Sequence, residues 1–194
     1  KELEAAGRVI SRFSYESPST VEIERLSPDT IILQCRYNED AVSDILRIKK
    51  YSSALRIFEL DDYVVSAPKK NTHTRNKPVN TEQMLREGIA LCDRVVVTTQ
   101  PLADALSSMH SEIRVVPNML SPDPWATLTS RRRTSSKPRV GWGGGTSHSG
   151  DLEIIADVVR ELANEVEWVF FGMCPEGLRP YVHEFHPAIS LLSY

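Results

Sequence analysis

This chain of 194 residues has few cysteines, no long apolar run and no excess of positive charge. The three cysteines lie far apart, so they predict neither a metal site nor a redox motif. No apolar run approaches the roughly 20 residues that cross a bilayer, and the opening residues do not resemble a secretory signal. A net charge of −3 provides no field for nucleic acid. We therefore expect a cytoplasmic protein without a specific nucleic-acid partner. Peripheral membrane association and oligomeric state stay open.

The composition, with 41% hydrophobic and 25% charged residues, is typical of a soluble globular protein with one or two domains. The charge is uneven. From Arg139 onward there are 3 Lys/Arg and 8 Asp/Glu, a net of −5, whereas the first 138 residues carry 20 and 18, a net of +2. This break in charge coincides with other signs of a domain boundary.

Strand-like and helix-like segments alternate along the chain. Apolar, β-branched runs predict strands at residues 8–15, 30–35, 54–60, 93–99, 112–116, 140–142, 166–171 and 188–192. Helical patterns predict helices at residues 1–7, 39–51, 81–92, 101–109, 149–164 and 178–185. Such alternation implies parallel sheets covered on both faces by helices. The fold class is therefore predicted to be α/β, with two Rossmann-like domains.

The predicted boundary between these domains is a linker at residues 119–138. It contains three prolines, Ser/Thr clusters and the run Arg131-Arg132-Arg133. We favour a solvated arginine run in the linker over a phosphate-binding or membrane-binding site. The first domain is predicted at residues 1–118 and the second at residues 139–194. Because 56 residues are few for an α/β domain, we expect the second domain to be incomplete here. Residues 64–80 are predicted to form an exposed loop.

The segment RVGWGGGTSHSGD at residues 139–151 predicts a strand that turns through glycines into a helix. Such a turn presents free backbone N–H groups and attracts phosphate. Thr146 stands where a dinucleotide fingerprint needs its third glycine, and no Walker lysine is present. A tight turn without a ligand is therefore an equal alternative. Asp151 mildly favours that alternative, and His148 could bind phosphate or be solvated.

Polar residues also follow the predicted strands of the first domain. Arg36, Asp61 and Asp62 come at strand ends, where open parallel sheets bind ligands. The two aspartates could hold a metal, act as a base, pair with Arg36 or cap the following turn. His183 and His186 have helical spacing but lack a third ligand, so we expect no metal site.

Four segments taken in order resemble glycosyltransferases of the GT-B fold, above all retaining enzymes of the surface-polysaccharide type. They are FELDD (58–62), CDRVVVTTQPLADAL (92–106), IRVVPNML (113–120) and RVGWGGGTSHSGDLEII (139–155). The resemblance implies that the second domain binds a nucleotide-diphosphate sugar as substrate, without a metal cofactor. It further implies roles for individual residues: the donor diphosphate lies on Gly143, Gly144, Gly145, Thr146 and His148, the acceptor side includes Arg36 and Asp61, and Asp62 is the candidate catalytic residue.

The resulting hypothesis is a hexosyltransferase-like enzyme of polysaccharide biosynthesis, present here as a fragment that we expect to be inactive alone. It would move a sugar to a glycan, lipid-linked or protein acceptor. The alternative is a non-catalytic α/β scaffold or partner-binding module derived from such an enzyme. A phosphoacceptor receiver domain is disfavoured, because no lysine follows Val97 or Val116. The sugar, the nucleotide, the acceptor, the stereochemical outcome and the catalytic base stay open.

Overall fold

A computed structural model describes residues 2–65, 80–120 and 136–188. These residues form two compact units. The first contains residues 2–65 and 80–119, and the second contains residues 120 and 136–188. Most of the predicted linker (119–138), including its arginine run, and most of the predicted loop (64–80) lie outside the described residues. The predicted domain boundaries therefore stay predictions.

The first unit is an α/β unit whose sheet has four parallel strands in the order β1-β2-β3-β4. The strands are β1 (Thr30–Gln34), β2 (Leu55–Leu60), β3 (Arg94–Val97) and β4 (Ile113–Val115). The helices are α1 (Glu2–Ala5), α2 (Thr20–Leu26), α3 (Glu39–Tyr51), α4 (Thr81–Ala90) and α5 (Gln100–Leu106).

Side chains at the helix starts explain several of these boundaries. Ser19 and Glu22 form a reciprocal capping box at α2. Asn38 caps α3 and Thr99 caps α5, each accepting a backbone N–H of the first turn. Pro101 lies in the first turn of α5, where its missing N–H would have no helical partner.

One face of the first sheet carries the core of this unit. Leu33, Phe58 and Val95 are paired across the strands and are buried there, whereas Ile32 on the opposite face is 64% exposed. The prediction that helices cover both faces is therefore wrong for the described part of this sheet. The reason is the strand order. When every right-handed crossover steps in the same direction, the connecting helices all fall on the same side.

The second unit contains three parallel strands in the order β5-β6-β7. The strands are β5 (Arg139–Gly144), β6 (Glu167–Gly172) and β7 (Glu184–Pro187). The helices are α6 (Ser149–Ile154) and α7 (Ala156–Glu161). Two 3-10 turns lie at Thr146–His148 and Glu176–Tyr181. Its core contains Leu152, Val159, Trp168 and Phe170. Leu152 of α6 and Val159 of α7 are thus fully buried.

Several local predictions are wrong. Residues 8–15 form no strand, and α2 was not predicted. The predicted helix at 149–164 is interrupted at Ile155 and ends at Glu161. Residues 178–185 are no helix, because Pro180 lies in a 3-10 turn and the third strand begins at Glu184. Of the strand predicted at 188–192, only Ala188 is described, and it lies outside β7.

At the level of fold class, the prediction of an α/β chain with parallel sheets is confirmed. Across the described ranges, no helix combines the length and the apolar character that crossing a bilayer would need.

Candidate functional site

The predicted phosphate loop, Gly143–His148, begins at the carboxyl end of β5. The strand ends at Gly144, Gly145 follows it, and the 3-10 turn Thr146–His148 leads directly into α6. His148 N–H donates to the carbonyl of Gly145 at 3.0 Å, which closes the turn. The structure therefore brings all five predicted donor residues together on one edge of the second sheet. Their roles toward a donor stay predictions.

Two glycines at this edge are required by packing. A Cβ on Gly144 would lie 2.8 Å from the ring of Trp142, which itself packs against Phe170 at 5.6 Å between ring centroids. Gly172, paired with Gly144, has a φ of +87°, and a Cβ there would lie 2.5 Å from the Gly144 carbonyl oxygen. The Trp142 ring thus accounts for Gly144, and the close approach of β5 and β6 accounts for Gly172, without a ligand.

Gly145 is different. A Cβ built on Gly145 would meet nothing within 4 Å, and its φ is outside the left-handed region. Neither crowding nor backbone conformation therefore requires a glycine at this position. A glycine that faces open space at the end of a parallel strand lets a ligand approach the backbone closely.

His148 is the one residue of the loop Gly143–His148 whose side chain is an aromatic ring. Its Nδ1 lies 2.9 Å from Oδ2 of Asp151, and both side chains are exposed. The carboxylate fixes the ring and leaves Nε2 directed away from it. Asp151 lies in the first turn of α6, where its carboxylate contacts the His148 ring. The i,i+3 spacing of this pair was the available signal.

The predicted acceptor-side residues meet at the carboxyl edge of the first sheet. Arg36 follows β1, and Asp61 and Asp62 follow the adjacent strand β2. Arg36 Nη2 donates to the Tyr15 carbonyl at 3.3 Å, and among the described residues no ion pair joins it to either aspartate. Asp62 is exposed, and nothing in the structure tests its predicted catalytic role.

Sequence reasoning missed Cys35 at this edge. Its Sγ–H donates to Asp61 Oδ1 at 3.4 Å, and its backbone has a φ of +51°, which is rare for a residue with a side chain. The Thr98 hydroxyl donates to the Asp61 carbonyl at 3.2 Å. Asp61 is therefore joined to the ends of both neighbouring strands. A polar residue directly after β1 was the only sequence signal for Cys35.

Negative charge shapes the electrostatics of this edge. Burial, followed by the charge of Asp61, raises the pKa of the Cys35 thiol to about 11. Burial and then the nearby charges of Cys35, Asp61 and Asp62 also raise the pKa of Tyr37. Burial followed by Asp61 raises the pKa of Glu59. An edge of this kind suits hydroxyl donors better than anions.

Metal ligation has no candidate cluster in the ranges that the structure describes. His183 and His186 have structural contacts instead. His183 Nδ1 accepts the Trp168 backbone N–H at 3.1 Å, while His186 bonds Glu184 and stacks on Phe171 with ring centroids 4.7 Å apart.

The chain matches no protein-family model and no curated protein. Among solved structures it is similar to a crystal structure of a mutant of S. aureus TarM in complex with fondaparinux, alpha-GlcNAc-glycerol and UDP. The TM-score is 0.49 and the identity 14%, over 84% of this chain and 32% of that chain. The chain thus spans about a third of that solved chain.

Proposed function

We propose that the Gly143–His148 loop binds the diphosphate of a nucleotide-sugar donor, and that the protein takes part in glycosyl transfer. The observation that carries this proposal is the open space in front of Gly145 at the carboxyl end of β5. The ordered resemblance of four sequence segments to GT-B glycosyltransferases supports the sugar-transfer class. The acceptor would be a glycan, a lipid-linked molecule or a protein.

The two edges suit two different parts of such a reaction. Backbone N–H groups at the second sheet's edge would stabilise the charge that develops on the leaving diphosphate. The His148 ring would add one side-chain donor. At the first sheet's edge, carboxylates such as Asp61 would accept hydrogen bonds from an acceptor hydroxyl, with Asp62 as the candidate base. No metal ion enters this scheme.

One observation favours the alternative of a non-catalytic module. The Asp151 carboxylate lies beside His148 at the loop that would bind the anion. A carboxylate there opposes a diphosphate through like-charge repulsion. Under this alternative, the loop is a strand-to-helix turn whose His148–Asp151 pair only stabilises the turn.

Thermal unfolding of the protein with UDP, GDP, dTDP or CMP at millimolar concentration distinguishes these proposals. A nucleotide at 100 times its dissociation constant should stabilise the fold by about 2.7 kcal/mol. We expect one diphosphate to protect the protein, and Gly145→Val to remove that protection. Gly177→Val is the matched control, because Gly177 belongs to the same unit and also faces open space.

Each outcome of the unfolding measurements has a different meaning. Failure of every nucleotide to protect a folded protein would contradict donor binding and favour the non-catalytic module. Equal protection of wild type and Gly145→Val would place the nucleotide elsewhere. Loss of protection in both valine variants would indicate a general defect of the unit rather than a blocked loop.

A further inference from the structure

Residues 8–15, called here the apolar arm, form neither helix nor strand. Their apolar side chains point away from the protein: Val9 is 43% exposed, Ile10 103%, Phe13 73% and Tyr15 89%. Single exposed apolar residues are ordinary, but a contiguous group of this size marks an interaction surface. The rings of Phe13 and Tyr15 meet edge to face, 4.9 Å between centroids, so these two side chains form one aromatic pair.

Polar contacts hold the arm with its apolar side outward. Both the backbone N–H and the hydroxyl of Ser11 donate to Glu4 Oε1, at 3.2 and 2.6 Å. Arg12 Nη2 donates to Glu22 Oε1 of helix α2 at 3.2 Å. Ser11 thus joins the arm to α1, and Arg12 joins it to α2. With its apolar side chains outward, the arm is the reverse of an ordinary surface segment, whose apolar groups turn inward.

The far end of the arm is also fixed. Arg36 Nη2, beyond β1, donates to the carbonyl of Tyr15, and Arg47 Nη2 of α3 donates to the carbonyl of Pro18 just beyond the arm, at 3.1 Å. Contacts at both ends limit the number of conformations that the arm adopts. A surface that is already ordered loses little further entropy on binding.

The charge of the arm selects its partner. Residues 8–15 contain Arg8 and Arg12 and no Asp or Glu. Glu4 and Glu22, the carboxylates that contact the arm, are already occupied by Ser11, Ser19 and Arg12. Basic residues next to exposed aromatic side chains suit an anionic lipid surface, where rings lie at the headgroup level and arginines meet phosphates.

We infer that the apolar arm docks the protein on an anionic phospholipid bilayer. Ile10, Phe13 and Tyr15 enter the boundary between headgroups and acyl chains, and Arg8 lies at the lipid phosphates, while Arg12 keeps its ion pair with Glu22. The projecting apolar side chains of the arm favour a bilayer over a folded protein as the partner. A folded partner would need a separate cavity for each projecting side chain, whereas a bilayer deforms around them. The inference does not depend on the donor loop, which belongs to the other unit.

Flotation of the protein with vesicles tests this inference. Vesicles of phosphatidylcholine with an equal share of phosphatidylglycerol should bind the protein, and vesicles of phosphatidylcholine alone should bind it more weakly. The double variant Ile10→Ser/Phe13→Ser should lower the partition coefficient at least about tenfold. Arg8→Gln should lower it about fivefold on the anionic vesicles only. Ile32→Ser is the matched control, because Ile32 is 64% exposed outside the arm.

Thermal unfolding of each variant confirms that it folds, which the exposure of these side chains leads us to expect. Absence of binding to the anionic vesicles would overturn the inference, as would equal binding by the double variant and wild type. A dimer in size-exclusion chromatography that the double variant abolishes, without an effect on vesicles, would replace the bilayer with a second copy of the chain.

Discussion

The carboxyl edges of the two parallel sheets are built from different parts of the chain. Beyond β1 and β2, side chains form the edge, with Asp61 and the Cys35 thiol in contact. Beyond β5 and β6, glycine backbone forms it, with Gly144 paired to Gly172. The first edge concentrates negative charge and raises nearby pKa values, whereas the second exposes backbone. The same strand arrangement can therefore present charged side chains or bare backbone, depending on which residues stand at the strand ends.

The two edges can be compared as independent structures only if each sheet has a hydrophobic core of its own. Phe58 in the first sheet and Phe170 in the second are fully buried. Phe58→Ala and Phe170→Ala should each lower the free energy of unfolding by about 3–5 kcal/mol, through lost burial and the cavity left behind. Hydrogen exchange with mass spectrometry should locate each loss in the strands of the substituted sheet. A cost below about 1 kcal/mol would show that the side chain is not a core residue.

The backbone character of the second edge predicts the next largest effect. Gly172→Ala places a side chain at φ +87° and 2.5 Å from the Gly144 carbonyl oxygen. We expect a loss of about 2–4 kcal/mol in urea unfolding, from the strained conformation and the overlap with backbone. Gly177→Ala has open space and should cost under about 1 kcal/mol. Equal costs for the two variants would contradict close approach of β5 and β6.

The side-chain character of the first edge predicts a smaller, chemical effect. The pKa of Cys35 is raised to about 11, so on the order of one thiol in a thousand is ionised at pH 8 and alkylation is slow. Asp61→Asn removes a charge that raises this pKa, so Cys35 should react severalfold faster with iodoacetamide. Mass spectrometry measures the rate, with Cys174 as the internal control. An unchanged ratio of the two rates would show that Asp61 does not act on the thiol.

The same shift has a consequence for stability. The folded state keeps the Cys35 proton up to about pH 11, whereas an unfolded thiol releases it near its ordinary pKa of 9.0. The stabilisation is therefore complete below about pH 9 and is lost as the pH rises toward 11. Burial raises the Cys92 pKa to about 11 as well, so both thiols act in the same direction. Urea unfolding at pH 8 and pH 10 measures the combined loss, and Cys35→Ser should reduce it.

Sequence patterns predicted much of the fold but not the directions of its side chains. Runs of apolar, β-branched residues correctly located β1, β2 and β3, and the short apolar run before the glycines located β5. The helix at residues 39–51 was predicted without its buried face, which Ala41, Ile45 and Ile48 form, while the apolar Leu46 is half exposed. A shift of one residue around the helix is invisible to periodicity, because both faces contain apolar residues.

The candidate site shows the same division. The sequence located the glycine loop and the strand-end residues Arg36, Asp61 and Asp62. Glycines and polar residues that directly follow a strand can be recognised from the neighbouring residues alone. It did not reveal the contacts of Cys35 with Asp61 or of Trp142 with Gly144. Those contacts depend on strand pairing and ring orientation, which local composition does not encode.

By itself, the sequence determined the α/β class, the strand–glycine–helix unit from Arg139 onward and the ends of the principal strands. Local propensity and burial are sufficient for these features. Only the tertiary structure decided the strand order, and with it the open face at Ile32. It also decided that residues 8–15, whose apolar pattern suggests a strand, remain unpaired. A strand needs a neighbour for its backbone hydrogen bonds, and local propensity cannot supply one.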